Sequence, residues 1–406
     1  MTSTARLSPA KASYTTTATL KKESRFNLSW TLLLASVAIF LIHPFITLLF
    51  SQQPTSSTLQ SESLNSMSSI ARTISRGVAK KVRSIETAEG AGAVVRRSIG
   101  TPALRNISPF LMLDHFRIGE GAGFPDHPHR GQTTITYILD GQSQHEDFAG
   151  HAGTIGPGDV QWMNAGHGIM HAEMPVHRDE AGNKLPDPVG LQLWVDLPKQ
   201  AKKEPPSYQE YRAAQIPTAE SKTNDENEQA EKGWKIKVVA GESHGVKSPI
   251  ELPKNGGVLF LDIHLEPSGS VYQTIDPRYN AFIYTLEGSI VVGDHSASTS
   301  TSAEGEKLAF NPSTAATPGE VVEAYHTLVL TKDGEKGVRI TNASSDKKAR
   351  MVVVAGEPLD QEVFQYGPFV MTTRQEIQQT LIDFQTGSNG FERAPGWRSK
   401  IGAGMM

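Results

Sequence analysis

Two short histidine motifs lie within residues 121–173 and decide how the chain can fold. The first reads FPDHPHRG at residues 124–131, and the second reads GHGIMHAE at residues 166–173. In each motif, two side chains that can bind a metal are two residues apart, a spacing that puts both on the same face of a β-strand. Two such strands facing each other would bring together His127, His129, His171 and Glu173.

These four side chains form a ligand set for a transition metal. A lone strand histidine is usually a hydrogen-bonded core or surface residue, but two strand-spaced pairs beside turn glycines favour a metal site. Three imidazoles and one carboxylate leave about two positions open on a six-coordinate metal. Iron(II) is the first choice, and manganese, nickel, copper and zinc stay open because imidazole does not discriminate among them.

The residues around the motifs have the pattern of a β-protein. From residue 83 to residue 196, short apolar runs alternate with Gly, Pro and Asp. The runs at 110–113, 134–139 and 191–195 predict strands, and no stretch there has a long 3.6-residue apolar period. Many short strands with turn signals between them predict a sandwich or a barrel.

Neighbouring residues predict the surroundings of the site. Pro128 lacks the N–H that a central strand needs, so the first ligand strand is predicted at a sheet edge or a bulge. Four apolar residues are candidates for a wall beside the metal, although core packing is the commoner role for any one of them: Phe124, Trp162, Met163 and Met170. The other histidines nearby lack the paired spacing and are not predicted as ligands: His115, His145, His151 and His167.

The second half of the chain repeats part of the first. TYILDG at residues 136–141 recurs as IYTLEG at residues 283–288, which predicts a duplicated fold. Carrying the same offset back puts Thr274 opposite His127 and Asp276 opposite His129. The second copy therefore lacks the imidazole pair and is predicted to bind no metal.

A helix is predicted near the end of the chain. TRQE at residues 373–376 forms a capping box. Ile377, Leu381 and Phe384 then fall on one helix face, and Gly387 can end the helix. We expect the apolar face to pack on a barrel.

The spacing of glycines and histidines resembles the two cupin motifs. Residues 121–141 resemble the first motif, with a glycine at each end and the HxH pair between them. Residues 158–171 resemble the second, with GD at 158–159 and NAG at 164–166.

Longer stretches resemble the pirin family within the cupins, and the resemblance extends from about residue 75 to residue 402. They are HEDFAGH at 145–151, QWM at 161–163, IMHAEMP at 169–175, AGEP at 355–358, GPFVM at 367–371 and NGFER at 389–393. One departure is Thr133, where many cupins carry a glutamate. Pirins take the carboxylate from the position of Glu173 instead.

The resemblance implies an all-β fold of two tandem cupin (jelly-roll) β-barrels with a C-terminal helix. Residues 76–200 would form the metal-binding cupin domain, and residues 201–402 a cupin-like domain without metal. It implies a quercetin 2,3-dioxygenase-type activity on a flavonol-like aromatic substrate and dioxygen, with Glu173 as ligand and proton acceptor. The alternatives are an iron- or redox-responsive transcription cofactor that binds a transcription factor, and a metal-bound scaffold without turnover.

The N-terminal residues predict a membrane anchor. Residues 1–27 form a basic tail rich in Ser and Thr, and residues 28–50 form an apolar run without formal charge. At ~1.5 Å per residue this run is long enough to cross a ~30 Å hydrocarbon core as a transmembrane helix. Residues 51–75 predict a disordered linker. A chain translated from Met67 would lack the span and be cytoplasmic or nuclear.

Composition excludes two other classes of function. The net charge is −4 with no basic block, so no direct binding to nucleic acid is expected. The chain has no cysteine, so neither disulfides nor thiolate ligands are available.

Overall fold

The fold is described from a computed structural model of the chain. The model describes residues 75–221, 231–252, 256–294, 319–332 and 334–403. The predicted basic tail, transmembrane helix and nearly all of the predicted linker lie outside these residues.

The described residues form 25 strands, one α-helix and three short 3-10 helices. In the first part of the chain the strands are β1 (Val78–Arg83), β2 (Ile85–Glu89), β3 (Ala93–Ile99), β4 (Phe110–Arg117), β5 (Phe124–His129), β6 (Gln132–Asp140), β7 (Ser143–Asp147), β8 (Ala152–Ile155), β9 (Val160–Asn164), β10 (Ile169–Pro175), β11 (Val189–Asp196) and β12 (Ser207–Tyr211).

The later strands are β13 (Thr218–Glu220), β14 (Lys232–Ala240), β15 (Glu242–Ser243), β16 (Val246–Lys247), β17 (Val258–Thr274), β18 (Asn280–Glu287), β19 (Ser289–Val292), β20 (Val322–Glu323), β21 (His326–Leu330), β22 (Gly337–Asn342), β23 (Ala349–Gly356), β24 (Phe364–Tyr366) and β25 (Phe369–Met371). The helices are α1 (Arg374–Thr386) and the 3-10 turns Ala201–Lys203, Ala213–Gln215 and Ala394–Gly396.

Three large sheets make up the fold. A seven-stranded sheet has the order β12-β9-β6-β11-β4-β3-β2, and a four-stranded sheet has the order β5-β10-β7-β8. A ten-stranded sheet runs β1-β21-β18-β23-β17-β22-β19-β20, with β14 and β13 added beside β17. All of these pairings are antiparallel, as expected for strands joined by short turns.

The seven-stranded sheet has two different faces because its side chains alternate. Ile135 and Tyr137 on β6 point toward the ten-stranded sheet, where Tyr137 packs against Phe260 with ring centroids 5.7 Å apart. The intervening Thr136 points the other way and donates to Glu173 of the four-stranded sheet. One face therefore builds the apolar core between the sheets, and the other faces the predicted metal site.

The C-terminal helix matches its prediction. Thr373 is the N-cap, and its side chain accepts from the backbone N–H of Glu376 at 3.1 Å. Gly387 ends the helix in the left-handed region at φ 63°. The apolar face of α1 packs with Met170 of β10 and with Phe369, so the helix lies against the motif-bearing sheet.

The predicted membrane-anchored localisation is wrong by this structure. Helix α1 is 13 residues long, which at ~1.5 Å per residue is ~20 Å, short of a ~30 Å hydrocarbon core. Within the part of the chain that the structure describes, no helix is long and apolar enough to cross a membrane. The segment 28–50, on which the single-pass anchor depended, lies outside that part, and the anchor is not retained.

The sheets confirm a mainly β fold with one C-terminal helix. Two of them each contain one strand from the other half of the chain. β1, at the start, pairs with β21 of the ten-stranded sheet. β12, which follows residue 200, pairs with β9 of the seven-stranded sheet. The predicted division into residues 76–200 and 201–402 stays a prediction.

One histidine between the sheets makes the fold sensitive to acid. His115 of β4 lies 3.3 Å from the Tyr284 hydroxyl of β18. Burial, and then the nearby charges of Arg96, Arg117 and Arg350, lower the pKa of His115 to about 4. Between pH 6.5 and pH 4 the unfolded chain therefore binds a proton that the folded protein does not.

We predict that stability falls as the pH decreases below about 6.5, and that His115→Gln makes this decrease less steep. One such histidine contributes up to about 1.4 kcal/mol of unfolding free energy per pH unit. Urea unfolding of both proteins at pH 7.5, 6.5 and 5.5 measures the slopes. Equal slopes in the two proteins would show that His115 is not a source of acid sensitivity.

Candidate metal centre

The two histidine motifs lie on adjacent strands of the four-stranded sheet. β5 and β10 are antiparallel neighbours, and His171 is directly opposite His127. The two motifs thus lie side by side in one sheet. The prediction that their strands face each other is wrong. β5 is the edge strand, which confirms the position expected from Pro128, since proline cannot donate to a further strand.

The three imidazoles converge. The ring centroid of His171 is 4.3 Å from that of His127 and 4.9 Å from that of His129, and the latter two are 4.9 Å apart. One nitrogen from each ring lies within 4.8 Å of the others, a grouping that could hold a metal ion. His129 and His171 are buried and His127 is half-buried.

Hydrogen bonds orient two of the rings for metal binding. The Nδ1–H of His127 donates to the carbonyl of Pro125 at 2.8 Å, because a carbonyl oxygen can only accept. His129 Nδ1 is 2.9 Å from the side-chain amide of Gln132. The NH2 group of this amide can donate to two nearby carbonyls, and its oxygen then accepts from the Nδ1–H of His129. Both rings therefore keep Nε2 as the free ligand atom.

His171 shows the strongest fit to a metal. Both of its ring nitrogens are buried and have no hydrogen-bond partner among the described residues. An unpaired buried polar nitrogen is costly, and a coordinated cation would satisfy one of them. The residues present therefore fit the predicted metal.

The burial of the rings also sets their charge. Burial, and then the neighbouring His127, lower the pKa of His129 and of His171 well below the ordinary 6.5. Both rings are neutral at neutral pH, which is the form that binds a metal.

Glu173 lies two residues after His171 on the same strand, but its carboxylate is not in the group of converging nitrogens. Instead it accepts from the Thr136 hydroxyl at 2.9 Å and from the Gln192 amide at 3.0 Å. These two donors come from the facing seven-stranded sheet. The role of Glu173 as a fourth ligand stays a prediction. The structure places its carboxylate near the histidines, oriented by hydrogen bonds from Thr136 and Gln192.

A cavity of about 500 Å³ opens beside the site. His127, His129 and Glu173 line it, together with Phe124, as predicted. The other three predicted wall residues are packed in hydrophobic clusters instead: Trp162, Met163 and Met170. The wall is formed in their place by Met112, Phe116, Ile118 and Trp194.

Strand periodicity groups these wall residues on one face of their strands but does not place that face at the site. Trp194 is two residues from Gln192 on β11, so both point to the same face. The ring centroid of Trp194 is 5.1 Å from that of His129. The missing information was which face of each strand turns toward the site.

A second polar cluster lies beside the ligand strand, on the same face of the sheet as Glu173. His145 on β7 is opposite Glu173 on β10. Its Nε2 is 2.6 Å from the Tyr208 hydroxyl and 2.8 Å from Glu210, both of β12. His151 stacks on the same tyrosine ring with centroids 5.0 Å apart. Neither histidine joins the three converging rings.

Arg130, between the two ligand loops, is a buried cation. It donates to the carbonyl of His167 at 2.6 Å, to the carboxylate of Asp383 at 2.8 Å and to the carbonyl of Asn389 at 2.5 Å. Its guanidinium also lies 4.6 Å from the ring centroid of Phe391. Arg130 thus ties both motifs to helix α1 and the residues after it.

The turn after His129 is held by a buried lysine. Gly131 has φ 83°, and a Cβ there would collide with the carbonyl oxygen of Val370, so the position requires glycine. Lys202, 2% exposed, donates to the carbonyl of Gly131 at 2.6 Å and pairs with Asp196. The backbone leaving the first motif is therefore fixed.

Comparison with known proteins gives the family. Two family models match the chain, Pirin over residues 92–195 and the Pirin C-terminal cupin domain over residues 260–390. Pirin from Homo sapiens is 41% identical over 329 residues, which cover 81% of this chain and 99% of that protein. The chain belongs to the pirin family. Pirin-like protein 2 from Arabidopsis thaliana is 43% identical over 327 residues, covering 80% of this chain and 89% of that protein.

A solved structure supports the cupin architecture. The crystal structure of a quercetin 2,3-dioxygenase from Acinetobacter baumannii superimposes with a TM-score of 0.62 at 26% identity. The match covers 78% of this chain and 99% of that chain. The resemblance of the two motifs to cupins and pirins is confirmed.

We predict that purified protein binds about one divalent metal per chain and that the double variant His127→Ala/His171→Ala binds none, because a single remaining imidazole cannot hold the ion. Elemental analysis after reconstitution measures the ratio. His151→Ala is the matched control, since this histidine is half-exposed and pairs with Asp147 outside the three rings. A stoichiometric metal in the double variant would place the site elsewhere.

Proposed function

We propose that the chain is a metal-dependent dioxygenase that opens a flavonol-like aromatic ring. The observation that carries the proposal is the convergence of three imidazoles, each with a free nitrogen, at a largely apolar cavity that His127 and His129 line. The likeness to a solved quercetin 2,3-dioxygenase supports the same substrate class.

The cavity suits a flat aromatic ligand. Its volume of about 500 Å³ lies within the range of roughly 300–1,000 Å³ found for small-molecule sites. Phe116, Phe124 and Trp194 supply aromatic surface, while His127, His129 and Glu173 are polar groups on the wall. A planar ring can pack on this surface and present an oxygen to the histidines.

The metal would be held by His127, His129 and His171, with Glu173 as a further ligand or neighbour, and iron(II) is our first choice. When bound, it would supply Lewis-acid chemistry toward a deprotonated substrate hydroxyl and toward dioxygen.

Glu173 is proposed as the group that takes the substrate's hydroxyl proton. Both of its carboxylate oxygens already accept hydrogen bonds, Oε1 from Thr136 and Oε2 from Gln192. These bonds fix the direction of the carboxylate, so a substrate hydroxyl would meet it in one geometry. Thr136 and Gln192 are thereby positioning residues for this proton transfer.

A binding module that responds to the state of the metal is the second candidate, and one contact favours it. His129 is bonded to Gln132, whose amide also reaches the carbonyl of Pro368. Two residues earlier, Tyr366 is 61% exposed at the turn of the β24–β25 hairpin. A change of charge at the metal could thus reach a surface that a protein partner, such as a transcription factor, can contact.

We predict that iron-loaded protein consumes dioxygen stoichiometrically with quercetin, and that Glu173→Gln lowers kcat by about 10²- to 10⁴-fold while changing the Kd for quercetin much less. An oxygen electrode measures the uptake, and anaerobic titration measures binding.

Glu180→Gln is the control for this experiment, because Glu180 is an exposed carboxylate that does not line the cavity. If no divalent metal gives uptake above the rate without protein, the dioxygenase proposal fails and the binding module remains.

A further inference from the structure

The wall of the cavity contains a second cluster of polar side chains, which have no role in the proposed chemistry. Arg97 of β3, Asp114 of β4 and Glu89 of β2 line the same cavity as His127 and Glu173. A guanidinium and two carboxylates in the wall of an apolar cavity are costly to desolvate unless they pair or meet a polar ligand.

The register of the seven-stranded sheet places this group away from the histidines. Thr136, Gln192, Asp114 and Arg97 are successive cross-strand partners on β6, β11, β4 and β3. They form one row on the face that looks into the cavity. Since neighbouring strands are about 4.8 Å apart, Arg97 lies about 10 Å along the row from Gln192, which holds Glu173.

Arg97 is held in place but has hydrogen-bonding capacity left. Its Nε and Nη2 form a fork on the carboxylate of Asp114, at 2.8 and 2.6 Å, and Nη2 also reaches Glu89 at 2.5 Å. Its Nη1 makes no hydrogen bond to the residues that the structure describes. Asp114 is nearly fully buried, whereas the side chain of Glu89 is 41% exposed.

The free groups match a particular ligand. Nη1 of Arg97 can donate to a hydroxyl oxygen, and the carboxylate of Glu89 can accept from a hydroxyl proton. Two hydroxyls on neighbouring carbons of an aromatic ring would satisfy both groups at once. Met112 and Phe116 flank Asp114 on β4, two residues before and after it, and both line the cavity, so a ligand lying along this row meets apolar surface on either side.

We propose that Arg97 and Glu89 form a specificity subsite that binds an ortho-dihydroxylated ring at the end of the substrate remote from the metal. This rests on the proposed function, which supplies the oxygen donor at the metal end. The substrate class is then narrowed to flavonol-like molecules that carry a catechol, and Asp114 acts by fixing the guanidinium.

Binding of two flavonols to metal-loaded protein, titrated without dioxygen, tests the subsite. Quercetin carries the catechol, and 3,5,7-trihydroxyflavone differs from it only by lacking those two hydroxyls. We expect Glu89→Ala and Arg97→Lys each to raise the Kd for quercetin about tenfold, because each loses a charge-assisted hydrogen bond. The Kd for 3,5,7-trihydroxyflavone should change less than about twofold in the same proteins.

Glu86→Ala is the matched control. Glu86 is on the same strand as Glu89 but three residues away, so it points to the opposite face, where it pairs with Arg96. It should leave both Kd values unchanged. Because Glu89 is partly exposed at the end of β2, its variant should fold even if a variant of Arg97 does not.

Two results would overturn the subsite. One is that wild-type protein binds the two flavonols equally well, and the other is that Glu89→Ala weakens both by the same factor. Oxygen uptake is a separate measurement. If the protein binds the catechol-bearing flavonol selectively but consumes no oxygen, the dioxygenase proposal fails and the subsite stands. If it consumes oxygen but binds both flavonols equally well, the subsite fails and the dioxygenase proposal stands.

Discussion

The antiparallel register between β5 and β10 is the constraint on which the site depends. It places His127 opposite His171, and a shift of one residue would turn one ring to the other side of the sheet. β5 is a short edge strand containing a proline and could not fix this register alone. Arg130 and Lys202 fix it from outside the strand, through buried bonds to the second ligand loop and to the turn at Gly131.

The seven-stranded sheet gives the site its chemistry as well as its support. Its apolar face is covered by the ten-stranded sheet, so the polar row on its other face is backed by a rigid core. Thr136 and Gln192 in that row hold the carboxylate of Glu173. Asp114 and Arg97 continue the row toward the cavity's remote end. One sheet therefore positions both ends of the proposed ligand.

Local signals in the sequence were sufficient for some features. The cap at Thr373, the end of the helix at Gly387 and the placing of His127 and His129 on one strand follow from rules that act over a few residues. The family and the cupin architecture were predicted from the resemblance of the motifs, because strand periodicity alone indicates only a β fold.

Features that depend on pairing between distant residues were not predictable in the same way. Strand periodicity gives two faces but does not say which one is turned to the site, so Trp162 was expected in the wall where Trp194 lies. No local sequence motif identifies Arg97 or Gln192, because their roles depend on cross-strand partners that are distant in the sequence. The membrane anchor is not retained, since no helix among the described residues is long and apolar enough to cross a membrane.

The exchange of β1 and β12 has a consequence for how the molecule can be divided. Each strand closes an edge of a sheet that is otherwise formed by the other half of the chain. Cutting the chain near residue 200 would leave the backbone groups of β9 and of β21 unpaired, and open edges of this kind promote association between chains. The two halves therefore share sheet edges, and a cut near residue 200 would expose a strand edge in each of them.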